Sequence, residues 1–143
     1  MKTFAFIAIA LWAVAACQPV KKEVAVPEKI AAAFKTIHPN ATDIRWIQEP
    51  SIFEAKFRDG EMQGAISFND QAEVVETEEV IKEEQLPNHA GILDYIKSNY
   101  NGETIQRSEK IVKRDGVVMY ELQITGKELI FDAEGNFSEE EPD

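Results

Sequence analysis

The chain has 143 residues, 26 Asp and Glu against 15 Lys and Arg, a formal net charge of −11 and one cysteine. That length suits one domain or two small half-domains sharing a sheet, and a single cysteine excludes both an intramolecular disulfide and a thiolate metal site. The acidic surplus repels nucleic acid and anionic lipid headgroups, and it also serves simply to keep the protein soluble.

The N-terminus predicts an address. Lys2 supplies a positive end, an apolar run extends from Phe4 to Val14, and Ala15 and Ala16 precede Cys17, which is the layout of a signal peptide over residues 1–16. The apolar run is far shorter than the ~20 residues a helix needs to cross a bilayer. Val14-Ala15-Ala16-Cys17 resembles a bacterial lipobox, and that resemblance implies cleavage before Cys17, acylation of its thiol and a palmitate-bearing lipoprotein held in the envelope, in the outer membrane facing either the periplasm or the cell surface. The alternatives are an ordinary signal peptide with a chance cysteine, or a small buried core cysteine. Losing Lys2 makes the mature chain one unit more negative. Residues 17–26 then form the lipidated cysteine and its tether, with Lys21 and Lys22 placed where the tether meets the headgroups. From Gln18 to Val26 the tether spans at most ~30 Å, so the domain works close to the membrane.

Pro27 opens a segment in which Ile30, Ala33, Phe34 and Ile37 recur at helical spacing, ended by Pro39. Four β-rich runs follow, near Ile44 to Gln48, Ile52 to Arg58, Gly64 to Phe68 and Glu73 to Glu78, separated by Pro50, Asp59-Gly60 and Asn69-Asp70. Leu86-Pro87 begins a second amphipathic pattern with Ile92, Leu93, Ile96 and Tyr100 on one face and Asn101-Gly102 as its stop. Thr104 to Lys113, Val117 to Thr125 and Lys127 to Phe131 read as further strands, Asp115-Gly116 as a hairpin turn, and Asn136 to Ser138 as a short last strand.

The halves repeat. Val26-Pro27 matches Leu86-Pro87, Phe53-Glu54-Ala55-Lys56-Phe57 matches Tyr120-Glu121-Leu122-Gln123-Ile124, and Phe68-Asn69-Asp70-Gln71-Ala72 matches Phe131-Asp132-Ala133-Glu134-Gly135. The expected fold is α+β: one helix followed by an antiparallel strand meander, twice, with both helices on one face of the sheet. The halves are residues 27–84 and 85–138, followed by an acidic tail, 139–143. The helices are expected to cover Phe53, Ala55 and Phe57 in the first half and Val118, Tyr120, Leu122 and Ile124 in the second, leaving the other face open.

The order of Phe34, His38-Pro39-Asn40-Ala41, Ile44, Trp46, Phe53 to Phe57, Glu76-Thr77-Glu78, Leu86-Pro87, Tyr100-Asn101-Gly102, Tyr120-Glu121 and Phe131 to Gly135 resembles the PepSY-like proteins. These have a fold akin to β-lactamase inhibitor protein and are common in envelopes of Bacteroidetes-type bacteria. The resemblance covers residues 26 to 137 and implies the tandem fold and an envelope location. It carries no catalytic residues and does not imply inhibition of a β-lactamase. His38 departs from the aromatic Tyr usual there, and Ala72 from the usual turn glycine.

Chemistry is sparse. His38 ends the first helix and His89 begins the second, without metal-ligand spacing around either. Ser51, Ser67 and Ser108 lack a nucleophile-elbow context, and no glycine-rich phosphate loop occurs. The expectation is therefore no enzyme, no cofactor and no resident metal. Two functional readings remain. In the first, a binding or inhibitory module presents Arg45, Glu54, Lys56, Met119, Glu121 and Gln123 on its open face to an envelope protein or peptide, and not to nucleic acid. In the second, a structural lipoprotein binds a divalent cation at its acidic turns, Asn69-Asp70 and Asp132 to Gly135, or at Glu139-Glu140-Glu141 and Asp143. Trp46 reads either as an exposed binding anchor or as a core residue.

Overall fold

The structure, a computed structural model, describes residues 24–142, so the expected signal peptide, Cys17 and most of the expected tether lie outside the described residues. Helix α1 spans Glu28–Ile37. Pro27 stands just before it and its carbonyl accepts from Ile30 and Ala31, while the His38 backbone N–H closes the other end on Phe34. Four strands follow: β1 (Thr42–Gln48), β2 (Ile52–Asp59), β3 (Met62–Asn69) and β4 (Val74–Ile81). A single 3-10 turn, Glu83–Gln85, leads into α2 (His89–Asn99). The chain ends in β5 (Arg107–Lys113), β6 (Val118–Ile124), β7 (Lys127–Asp132) and β8 (Phe137–Pro142).

All eight strands form one antiparallel sheet in sequence order. The expected α+β architecture is therefore present, and the repeat holds in outline: each half is one helix and four strands, with the 3-10 turn at the junction between them. Pairing of β4 with β5, from Glu76 opposite Lys113 to Ile81 opposite Ser108, fuses the halves into one continuous sheet.

Both helices lie on the same side. The register Ala55–Ile66–Thr77–Val112–Val118 crosses from β2 to β6, and side chains alternate along a strand, so Phe53, Ala55, Phe57, Leu122 and Ile124 share one face. Against it α1 packs Ile30 and Phe34, and α2 packs Ile92 and Ile96, giving two adjoining cores. Phe34 meets Phe57 and Trp46 edge to face, at 5.2 and 5.5 Å between ring centroids. Trp46 thus takes the core role, half-buried. In the second core Tyr95 stacks on Phe137 at 4.8 Å and meets Phe131 edge-on at 5.8 Å. Burying each such aromatic contributes ~1.5–3 kcal/mol, the main resource of a domain without a disulfide.

Three expectations change. Ile37 and Leu93, placed on the apolar stripes by spacing, are 46% and 37% exposed, because each helix meets the sheet along a narrower line than the stripe; Tyr95 packs in the second core instead. Glu139–Glu141 lie in β8, paired with β7, and not in a free acidic tail. The last strand is correspondingly longer than Asn136 to Ser138.

Candidate binding face

The side of the sheet opposite the helices has no element over it among the described residues. Its rows follow from the register. One row runs Arg45–Lys56–Ala65–Glu78–Ile111–Met119 from β1 to β6. A second links Val80, Glu109, Glu121, Ile130 and Glu139 from β4 to β8, and a third links Arg107, Gln123, Glu128 and Glu141. All six residues expected on this face, Arg45, Glu54, Lys56, Met119, Glu121 and Gln123, stand on it. They fall into two groups, one on β1 and β2 and one on β6, about 19 Å apart at four strand spacings.

The sheet is twisted into a trough of about 590 Å³ that joins the two groups: Arg45 and Lys56 line one wall, Glu121 and Gln123 the other. On β3, Gly64 and Ala65 contribute to its lining. Gly64 is required there for a steric reason, since a Cβ would run into the backbone carbonyl oxygen of Glu78 on β4.

The centre of the trough is made by residues that periodicity did not pick out. Glu78, Arg107, Glu109 and Glu128 all line it. On β4 the run Glu76-Thr77-Glu78-Glu79 has acids on both faces, so alternation carries no signal there. On β5 the pattern is inverted, with Ile111 buried on the open side and Lys110 facing the helix side.

Charge is distributed unevenly across this face. Arg45, Lys56 and Arg58 outnumber Asp43 and Glu54 on β1 and β2 by a single charge, and Asp43 lies 3.8 Å from Arg58, whereas Glu121, Glu128, Glu139 and Glu141 give β6 to β8 acids only. Some charges are settled locally. Lys56 Nζ lies 3.2 Å from Glu54 Oε1, Arg107 donates to Glu109 at 2.7 Å, and Lys113 pairs with Glu76 at 3.5 Å. The Lys56 contact lacks hydrogen-bond alignment, so the buried Glu54 Oε1 accepts no hydrogen bond. Among the described residues Glu78 and Glu121 close no ion pair. Burial, then the fields of Glu54, Glu109 and Glu76, pushes the Glu78 carboxyl up to about 7, with Lys56 acting the other way. Burial, then Glu128, Glu109 and Glu141, pushes Glu121 up to about 7 against the pull of Arg107. Glu109 sits directly opposite Glu121, a like-charge cross-strand pair.

Elsewhere the polar groups serve the fold. His38 lies 4.2 Å from the Phe57 ring by centroids and its Nδ1 is 3.0 Å from Asp59 Oδ2; His89 Nε2 is 3.0 Å from Glu83 Oε1. Among the described residues no serine, threonine or cysteine bonds either imidazole, and no three acidic, His or Cys side chains converge as a metal site would require. At the acidic turns the side-chain oxygens of Asn69 and Asp132 accept from backbone N–H groups of the same turns, Gln71 and Glu73 in one and Glu134 and Asn136 in the other.

No family model matches the chain, and no curated protein matches it. Solved structures do. A BLIP-like protein from Bacteroides fragilis is 20% identical, with 81% of this chain and 85% of that one aligned at a TM-score of 0.61. A candidate periplasmic protein from Bacteroides eggerthii is 17% identical over 81% of this chain and 88% of its own, TM-score 0.69. A DUF2874 family protein from Bacteroides ovatus is 14% identical over 81% and 86%, TM-score 0.67. At such identities the likeness establishes a shared BLIP-like fold.

Proposed function

We propose that this chain is a non-catalytic lipoprotein of the bacterial envelope, tethered by lipid on Cys17, whose open sheet face binds a protein or peptide. The observation that carries the reading is the uncovered face itself: eight strands wide, holding a trough of about 590 Å³ lined largely by charged side chains, with Met119 on the same face beside it. A fold that spends both helices on one side of its sheet leaves the other free for a partner, and function resides in such a site and not in the fold. The fold shared with a BLIP-like protein and with a candidate periplasmic protein supports an envelope binding module. The divalent-cation reading has less support, because the oxygens of Asn69 and Asp132 are already engaged by backbone N–H groups.

The test is site-specific photo-crosslinking in the native envelope. A crosslinker at Met119 or Gln123 should yield one discrete adduct, and one at the exposed Lys97 on α2 should not. Adducts only from Lys97, or none from the face, would overturn the reading.

A further inference from the structure

The trough and its rim join two features that suit one kind of side chain. Glu78 lines the trough, and in its cross-strand row, past the buried Ile111, the half-buried Met119 offers apolar surface at the rim. Glu121 stands directly opposite Glu109, whose own charge is taken by Arg107. Lysine and arginine carry this combination of parts, an aliphatic stem that lies on apolar surface and a cationic head. Across the sheet the polarity is graded, weakly positive on β1 and β2 and wholly acidic on β6 to β8.

Resting on the reading of this face as a binding surface, we propose that its occupant is a basic segment of a protein partner, laying lysine or arginine stems along Met119 with their heads at Glu78 and Glu121, and bounded by Arg45, Lys56 and Arg58. Charge complementarity selects this occupant. A second copy set face to face would bring the central carboxyls of both chains together, adding repulsion where each chain already has it.

The arrangement makes capture depend on pH near neutrality. The groups facing Glu78 are Glu54 and Lys56 from β2, Glu76 on its own strand, and Arg107 and Glu109 from β5; those facing Glu121 are Arg107 and Glu109 from β5, Glu128 from β7 and Glu141 from β8. Burial, and then the acids among them, raise both carboxyls toward neutrality, so a cation that replaces the missing counter-ions binds better as the pH rises past 7. Lysine, with an ordinary pKa of about 10.4, stays charged throughout.

The experiment uses the full-length protein in a non-ionic detergent at 0.15 M salt, with an acetylated octapeptide of alternating lysine and threonine as the probe. The dissociation constant should weaken about fivefold on going from pH 8 to pH 6. The double variant Glu78→Gln, Glu121→Gln should weaken binding at pH 8 by at least that factor and abolish the pH dependence. The pair Glu84→Gln, Glu134→Gln, both exposed and away from the trough, should change neither. No binding, equal binding of a glutamate–threonine octapeptide, equal loss in the control pair, or affinity flat with pH would each overturn the proposal. So would concentration-dependent dimerisation lost in Glu78→Gln, Glu121→Gln, which assigns the face to a second copy, or uptake of calcium by the trough without the peptide. A crosslink from Met119 in the envelope together with no peptide binding overturns only the basic-partner inference; no crosslink at all overturns the binding face itself.

Discussion

Asn69 and Asp132 close the same turn in the two halves of the molecule. Asn69 Oδ1 accepts from the backbone N–H of Gln71 and Glu73 at 2.9 and 3.0 Å, and Asp132 Oδ1 accepts from those of Glu134 and Asn136 at 3.0 and 2.8 Å. An amide in one half and a carboxylate in the other do this equally well, so the turn needs an oxygen and not a charge. Asn69→Ala should cost about 1 kcal/mol, the net value of lost hydrogen bonds at a partly exposed site. Asp132→Ala should lower the thermal midpoint in the same direction, whereas Asp132→Asn, which keeps the accepting oxygen and loses only the charge, should lower it by less at neutral pH. The Asn136 side chain, then its backbone N–H, holds the Asp132 carboxyl below its ordinary value, so the charge-dependent part of its contribution is complete above about pH 4 and fades as pH falls. Asp132→Asn should remove that acid-side loss; a midpoint that drops as far in Asp132→Asn as in Asp132→Ala would contradict the account.

Ala72 occupies the left-handed region at φ +63°, where the second half has Gly135 at φ +82°. The missing glycine leaves the turn intact and places the strain on an alanine. Ala72→Gly should therefore stabilise the protein by about 0.5–1 kcal/mol, the relief of that strain less the extra chain entropy of glycine. The converse, Gly135→Ala, should destabilise, because a Cβ there would stand 2.6 Å from the Pro87 carbonyl oxygen. Chemical denaturation of the two variants reads both signs.

Glu78 and Glu121 make stability fall as the medium becomes less acidic. Each has a folded value of about 7 against an ordinary 4.5, so the folded state holds more protons between those limits and stability declines as pH rises from about 4.5 to 7, then levels. Replacing either by Gln should raise stability at pH 8 by on the order of 1 kcal/mol, well below the unscreened linkage because both side chains reach solvent. At pH 4.5 the same substitutions should be close to neutral. Thermal melts across this range test it, and a wild-type midpoint that climbs from pH 5 to pH 7 relative to the Gln variants would refute it.

Lys56 and Met119 separate binding from folding. Changed together to Gln and Ser, they should lower partner crosslinking while stability moves by about 0.5 kcal/mol, the usual range at surface positions. Phe34→Ala should do the reverse, costing about 3–5 kcal/mol by emptying a site against Phe57 and Trp46. Melts and crosslinking on the same variants distinguish the two; undiminished crosslinking by the Lys56 and Met119 variant would move the binding site elsewhere.

Cys17 carries the prediction for the address. Cys17→Ser should leave the precursor uncut or release it without acyl chains, and wild type should partition with membranes. Wild-type protein found wholly soluble with a free thiol would end the lipoprotein reading.

Consecutive residues held much of this protein's plan. Ile30 and Phe34 at helical spacing, the alternation Phe53-Ala55-Phe57 and the turn residues Asn69 and Asp132 are each decided within a few positions, and each took its expected place, as did Arg45, Glu54, Lys56, Met119, Glu121 and Gln123 on the open face. Periodicity failed where both faces of a strand carry similar side chains, as in Glu76-Thr77-Glu78-Glu79, and where Lys110 and Ile111 invert the usual pattern at the junction of the halves. What joins Glu109 to Glu121, and Glu78 to Lys56 across Ala65, is strand register. Register depends on how separate strands align, so only the tertiary structure could decide which carboxyls share the trough, which find counter-ions, and which two are driven toward neutrality.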